Sequence, residues 1–154
     1  MCGILGLTTQ APFDEYRFKT ALSRLSHRGP ETSKIENLGR VVLGFARLSI
    51  QDLSSAGDQP MSDPIRENWI VFNGEIYNFN QLRKELEREG CEFRSKSDTE
   101  VILQGFRIWG WPHLLERLEG MFALGLYDRF NQKVYLARDR IGIKPLFIHS
   151  QGNE

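Results

Sequence analysis

Met1-Cys2-Gly3-Ile4-Leu5-Gly6-Leu7 opens the chain, and the fold reading turns on how Cys2 is used. One cleavage would make Cys2 the N-terminal residue, and methionine is commonly trimmed ahead of a small side chain. The exposed residue would then carry a thiol and a free α-amine, a nucleophile and a base with no linker between them. An unperturbed α-amine titrates at roughly 7.7–8.0, so a fraction is neutral near pH 7 and can take the thiol proton. Residues 3–7 read as a short buried strand that would hold this terminus inside the fold. The plainer alternative treats Cys2 as a small hydrophobe near a start codon.

Working outward, residues 2–9 form a first strand. Asp14 can cap a helix whose Phe18, Ala21, Leu22 and Leu25 share one face, and Gly29-Pro30 ends it. A polar stretch leads to a strand over residues 40–50. One of its faces is Val41, Leu43, Phe45 and Arg47; the other is Val42, Ala46, Leu48 and Ile50. Both are apolar apart from Arg47, as in a strand covered on two sides. Residues 51–68 read as a loop. Trp69-Ile70-Val71-Phe72 is a second doubly buried strand, running into the turn signal Asn73-Gly74. Asn78 with Gln81, and Ser97 with Glu100, resemble capping boxes for two helices. A helical turn after Pro112 follows. Residues 121–127 and 133–137 read as a hairpin, and Leu146-Phe147-Ile148 as one more strand. Strands at both ends with helices between them favour a layered α+β domain.

The bulk properties narrow the function classes. At 154 residues, 40% hydrophobic, 26% charged and with zero formal net charge, the chain is sized for one domain and carries no nucleic-acid footprint. No apolar run reaches the ~18 residues of a membrane span, and no signal peptide opens the chain. Cys2 and Cys91 are too few for a disulfide framework, so the expected setting is a reducing cytoplasm. His27, His113 and His149 show no metal-ligand spacing, and no metal site is expected.

Several residues could carry chemistry. A buried Arg47 needs an anion, either a structural carboxylate (Asp52, Glu75 or Asp139) or a substrate carboxylate held bidentately. Asn73-Gly74 is either a tight turn or an oxyanion hole made of an amide side chain and a backbone N–H. Glu75 is either an ion-pair residue or a substrate acceptor. Asp98 either complements the helix dipole or faces a substrate ammonium, with the Ser97 cap leaving its carboxylate free. His27-Arg28-Gly29-Pro30 is a helix stop or a site loop. Together these groups suit hydrolysis of the side-chain amide of a free amino acid.

The motifs resemble those of the class II glutamine amidotransferases, whose N-terminal nucleophile is cysteine. Within that family the chain most resembles glutamine-hydrolysing asparagine synthetases. The resemblance rests on Met1-Cys2-Gly3-Ile4, His27-Arg28-Gly29-Pro30, Arg47-Leu48-Ser49-Ile50, Gly57-Asp58-Gln59-Pro60-Met61, Asn73-Gly74-Glu75, Ser97-Asp98-Thr99-Glu100 and Arg138-Asp139-Arg140 with Gly142-Ile143-Lys144-Pro145-Leu146. It implies an N-terminal-nucleophile hydrolase fold, a four-layer αββα sandwich with two antiparallel sheets. It implies Cys2 as nucleophile, Asn73 and Gly74 as oxyanion donors, Arg47 on the glutamine α-carboxylate, and Glu75 and Asp98 on its α-ammonium. Leu48, Ser49, Ile50 and Gln51 would line the same pocket. The implied partners are L-glutamine and a synthetase domain or subunit, with a homodimer also compatible. No cofactor is expected in this chain, since ATP and magnesium belong to the synthetase domain, for which no pyrophosphate loop is seen. Residues 2–154 read as the glutaminase domain, C-terminally truncated against the family pattern, with a polar tail in place of further sheet. A non-catalytic glutamine-binding or subunit-docking module is the competing reading. Intact Cys2, Asn73 and Gly74 argue against it, because a binder needs no thiol.

Overall fold

In the computed structural model, which describes residues 2–50 and 52–150, two antiparallel sheets face one another between helices. The first sheet has the order β1 (Gly3–Thr8), β3 (Val41–Arg47), β2 (Thr32–Asn37). The second has the order β4 (Met61–Ser62), β5 (Asn68–Ile76), β6 (Gly120–Asp128), β7 (Lys133–Arg138). Helix α1 (Glu15–Ser23) covers the outer face of the first sheet, with Phe18 and Leu22 buried. Helices α2 (Phe79–Arg88) and α3 (Asp98–Arg117) cover the second. This is the expected αββα sandwich.

Strand periodicity explains the layers. Successive side chains alternate between faces. On β5 and β6, Ile70, Phe72, Ile76, Phe122, Leu124 and Leu126 point outward and pack with Leu82, Leu86, Val101, Ile102 and Leu114 of the two helices. The opposite row, Trp69, Val71 and Tyr127, packs with Val41, Leu43 and Phe45 of β3 between the sheets, with Cys2 and Ile4 against them. Each fully buried side chain of this kind contributes roughly 1.5–3 kcal/mol by transfer from water. Both layers are therefore substantial, and the one between the sheets carries the site.

Local signals behaved unevenly. Asp14 caps α1 as expected, accepting from Arg17 N–H at 3.0 Å. Ser97 caps α3, accepting from Glu100 N–H. The Glu100 carboxylate does not return to Ser97; it takes the N–H groups of Arg94 and Ser95 instead. Asn78 makes no side-chain cap. Its amide bridges Arg117 O and Glu119 N–H, a tertiary tie that competes successfully with the local one. Helix α3 breaks at Gly110, whose φ of 74° is left-handed, just ahead of Pro112.

Several segments depart from the sequence expectation. The loop expected before Trp69 contains the two-residue strand β4, paired with β5. The polar stretch before β3 forms the edge strand β2, which leaves most of its side chains in water. Strand β3 ends at Arg47 rather than Ile50. Residues 146–148 form no strand, and Phe147 is 92% exposed. Finally, Asn73-Gly74 is not a turn. Both residues lie inside β5, paired with Ala123 and Phe122 of β6. A side chain on Gly74 would put its Cβ 2.3 Å from Met121 O and 2.7 Å from Phe122 Cα. The glycine serves close backbone approach, a strand use rather than a turn use.

Candidate active site

At one end of the inter-sheet layer the inward rows turn from apolar to polar. On β3 the row Val41, Leu43, Phe45 ends in Arg47, and on β5 the row Trp69, Val71 continues as Asn73 and Glu75. On β1, Ile4 is preceded by Cys2. The result is a pocket of about 120 Å³ lined by Cys2, Arg47, Leu48, Ser49, Ile50, Asn73, Gly74, Glu75 and Asp98. These are all the residues expected to form the site except Gln51, which lies outside the described residues.

Cys2 sits at the start of the first strand, with Sγ 3.5 Å from both the carbonyl and the N–H of Leu48. Arg28 Nε–H donates to the Cys2 carbonyl at 3.2 Å. Gly29 lies so close to β3 that a Cβ would fall 2.1 Å from Ala46 O. Helix α1 already ends at Ser23, so the His27–Pro30 stretch is not its stop; it clamps the N-terminal strand against β3. Ser49 N–H and hydroxyl donate to the Glu31 carboxylate, which those bonds hold below its ordinary range.

The edge of β5 that faces the pocket presents alternate N–H groups. Phe72 N–H donates to the Gln59 side chain at 2.6 Å, and Ile76 N–H donates to Asp98 Oδ2 at 3.0 Å. Strand β6 occupies the opposite edge. By the two-residue repeat, Gly74 N–H points the same way as its two neighbours, into the pocket between Gln59 and Asp98. Gln59 also donates to Thr99 at 3.1 Å, tying the start of α3 to β5. The buried Asn73 side chain stands on the inward face of the same strand.

Two charged groups differ from expectation. The Asp98 carboxylate is not free, because it accepts the Ile76 N–H. Burial is the main cause that raises it to about 6, and the neighbouring Glu75 charge adds to the rise. The N–H groups of Ile76, Thr99 and Asp98 itself work in the opposite direction. Arg47 finds its carboxylate in Asp58, rather than in Asp52, Glu75 or Asp139. Asp52 contributes its carbonyl oxygen to the guanidinium instead. Asp139 lies elsewhere in the network. Burial raises its carboxyl, but the N–H groups of Lys144, Ile143, Phe122 and Gly142 outweigh that and hold it below its ordinary value.

Residue-by-residue reading missed several members of the wall. Gln59, Thr99, Met121 and Lys144 line the pocket as well. Gln59 and Lys144 sit in motifs visible in the sequence, but Gln59 is fixed in the wall by bonds to Phe72 and Thr99, which local sequence does not announce. Among the described residues no group of three or more His, Cys, Asp or Glu is placed to hold a metal ion. No helix among them is long and apolar enough to cross a membrane.

The family model described as "Glutamine amidotransferase domain" matches residues 1–154. Asparagine synthetase [glutamine-hydrolyzing] 1 of Bacillus subtilis is 40% identical over 96% of this chain, and the match covers 24% of that protein. The Gallus gallus asparagine synthetase [glutamine-hydrolyzing] is 38% identical, covering 96% of this chain and 26% of its own length. The chain therefore spans about a quarter of the length of the curated relatives it matches. Among solved structures, glutamine phosphoribosylpyrophosphate amidotransferase from B. subtilis, complexed with ADP and GMP, superposes with a TM-score of 0.62. The identity is 25%, over 75% of this chain and 26% of that one.

Proposed function

Because the chain belongs to the glutamine amidotransferase domain family, we propose that it is the glutaminase portion of an asparagine-synthetase-like amidotransferase. In this reading it hydrolyses L-glutamine to glutamate and ammonia, and the ammonia goes to an ATP-dependent synthetase domain or subunit. The observation that carries the reading is the convergence of Cys2, Arg47, Asn73, Gly74, Glu75 and Asp98 on one amino-acid-sized pocket. A nucleophile, oxyanion donors, a fixed cation and fixed anions are the parts that amide hydrolysis of a zwitterionic substrate requires.

The mechanism starts once Met1 is removed. The Cys2 α-amine takes the thiol proton, and Sγ attacks the side-chain amide carbon of glutamine. The carbonyl oxygen becomes an oxyanion and accepts hydrogen bonds from the Asn73 amide and Gly74 N–H. The carbon–nitrogen bond then breaks. The leaving nitrogen takes the proton from the α-ammonium and departs as ammonia, leaving a γ-glutamyl thioester. Water, losing a proton to the α-amine, attacks the thioester, releases glutamate and restores the thiol. Arg47 holds the substrate α-carboxylate; Glu75 and Asp98 hold its α-ammonium.

The test is covalent labelling by the glutamine analogue 6-diazo-5-oxo-norleucine, on chain shown by mass to lack Met1. One label on Cys2, lost in Cys2→Ala and blocked by excess glutamine, is the expected result. A folded chain that binds glutamine but never labels would exclude the catalytic reading.

A further inference from the structure

The loop after β3 is built around a single guanidinium. Arg47 is 8% exposed. Its Nη2 group donates to the carbonyl oxygens of Asp52, at 2.5 Å, and Ser54, at 2.9 Å. Its Nη1 group donates to Asp58 Oδ1. Gly57 completes the collar, since a Cβ there would lie 3.3 Å from Nη2. Asp58 accepts in addition from Lys34 Nζ on β2, through its second oxygen.

Three of the five guanidinium N–H groups are thus engaged. Among the described residues, Nε–H and one Nη1–H take no acceptor. Asp58 itself does not line the pocket, whereas Arg47, Asp52 and Gly57 do. The charges also balance in a useful way. Arg47 and Asp58 alone would cancel, and a neutral pair attracts a carboxylate poorly. Lys34 returns the trio to a net positive charge, although it is half exposed and therefore screened.

We propose that Asp58 is a positioning residue that holds the Arg47 guanidinium for the α-carboxylate of the amino-acid substrate, with Lys34 anchoring Asp58 from β2. This rests on the reading of Arg47 given above. Asp58 acts through Arg47, touches no substrate atom, and serves binding rather than the acyl-transfer step.

The experiment compares wild type, Asp58→Asn and Asp58→Glu, each shown to lack Met1. Cys2 labelling by 6-diazo-5-oxo-norleucine, which carries the α-carboxylate, yields a KI and a limiting rate. Alkylation by iodoacetamide, which carries none, reports the thiol alone. Asp58→Asn is expected to raise KI about tenfold or more, the usual scale for unpairing a partly buried charge. The limiting rate and the iodoacetamide rate should stay within about twofold of wild type. Asp58→Glu keeps the charge but displaces it by one methylene, so its KI should lie between those of wild type and Asp58→Asn, about two- to fivefold above wild type. An unchanged KI overturns the proposal. A lower KI also overturns it, because Asp58 would then be competing with the substrate for the guanidinium. So does a parallel fall in the iodoacetamide rate, which would mean general collapse of the pocket. Should Asp58→Asn fail to fold by circular dichroism, Asp58→Glu decides: KI raised two- to fivefold with both rates intact supports positioning, and an unchanged KI overturns it. Wild type that alkylates with iodoacetamide but never labels with the analogue would instead defeat the proposed function itself.

Discussion

Asp98 gives the pocket a pH signature. Its carboxyl is raised to about 6, mainly by burial, against roughly 3.9 for an unfolded aspartate. Between those values the folded chain binds more protons than the unfolded one, so ionisation of Asp98 removes stability as pH rises through that window. Asp98→Asn keeps an acceptor for Ile76 N–H and drops the charge. It is expected to stabilise the free protein by about 1–3 kcal/mol at pH 7, with the gain vanishing near pH 4, in chemical denaturation across pH. If Asp98 faces the substrate ammonium, wild-type kcat/KM should fall about tenfold per pH unit below about 6. Asn73→Ala should behave differently, lowering kcat by about 10²–10³ while leaving KM near wild type, in a coupled glutamate assay. Single residues were legible in the sequence where strand alternation placed them. Arg47 stood in the row Val41, Leu43, Phe45, and that row faces the second sheet. Asp58 was not legible as its partner, because nothing local says how the loop after β3 folds back.

Strand β5 is the element that makes the site. Its outward row anchors α2 and α3, its inward row supplies Asn73 and Glu75, and the edge it turns away from β6 presents Gly74 N–H beyond the short pairing with β4. The Asn-Gly pair invited a turn assignment because dipeptide preferences record local geometry. Here the deciding contact is β6, more than forty residues later in the chain. Gly74→Ala tests this directly. The added Cβ would meet backbone of β6 at 2.3–2.7 Å, and backbone cannot rotate aside. Destabilisation of about 3 kcal/mol or more, with loss of labelling, is expected in urea unfolding. An Asn-Gly turn would tolerate alanine far better in stability terms. Strand β2 was hidden for the opposite reason. An edge strand buries little, so its sequence carries no apolar rhythm. The spacing of Asn78 and Gln81 predicts a cap, and the competing tie to Arg117 and Glu119 lies in tertiary structure.

At the scale of the molecule, the pocket is where two facing sheets run out of apolar side chains. The inter-sheet core and the pocket are one continuous layer, so core packing sets the shape of the pocket. Phe45 is 3% exposed and also lines the pocket. Phe45→Ala should cost about 3–5 kcal/mol and weaken glutamine binding together. Phe147, which is 92% exposed, should change stability by less than about 0.5 kcal/mol when replaced by serine. Strand and helix periods make a layered α+β domain legible, whereas the two-sheet sandwich is legible only through the resemblance of the motifs to a known family. The segment at residues 146–148 was not, because an apolar run alone does not supply a neighbouring strand. The central claim is that Cys2 is an acylating nucleophile, and rapid acid quench tests it most directly. Chain confirmed to lack Met1 is mixed with glutamine, quenched within one turnover and weighed intact. A γ-glutamyl adduct mapping to Cys2, absent from Cys2→Ala and accumulating in step with released ammonia, is the predicted result. Ammonia release without any adduct on Cys2, or equal release by Cys2→Ala, would contradict it.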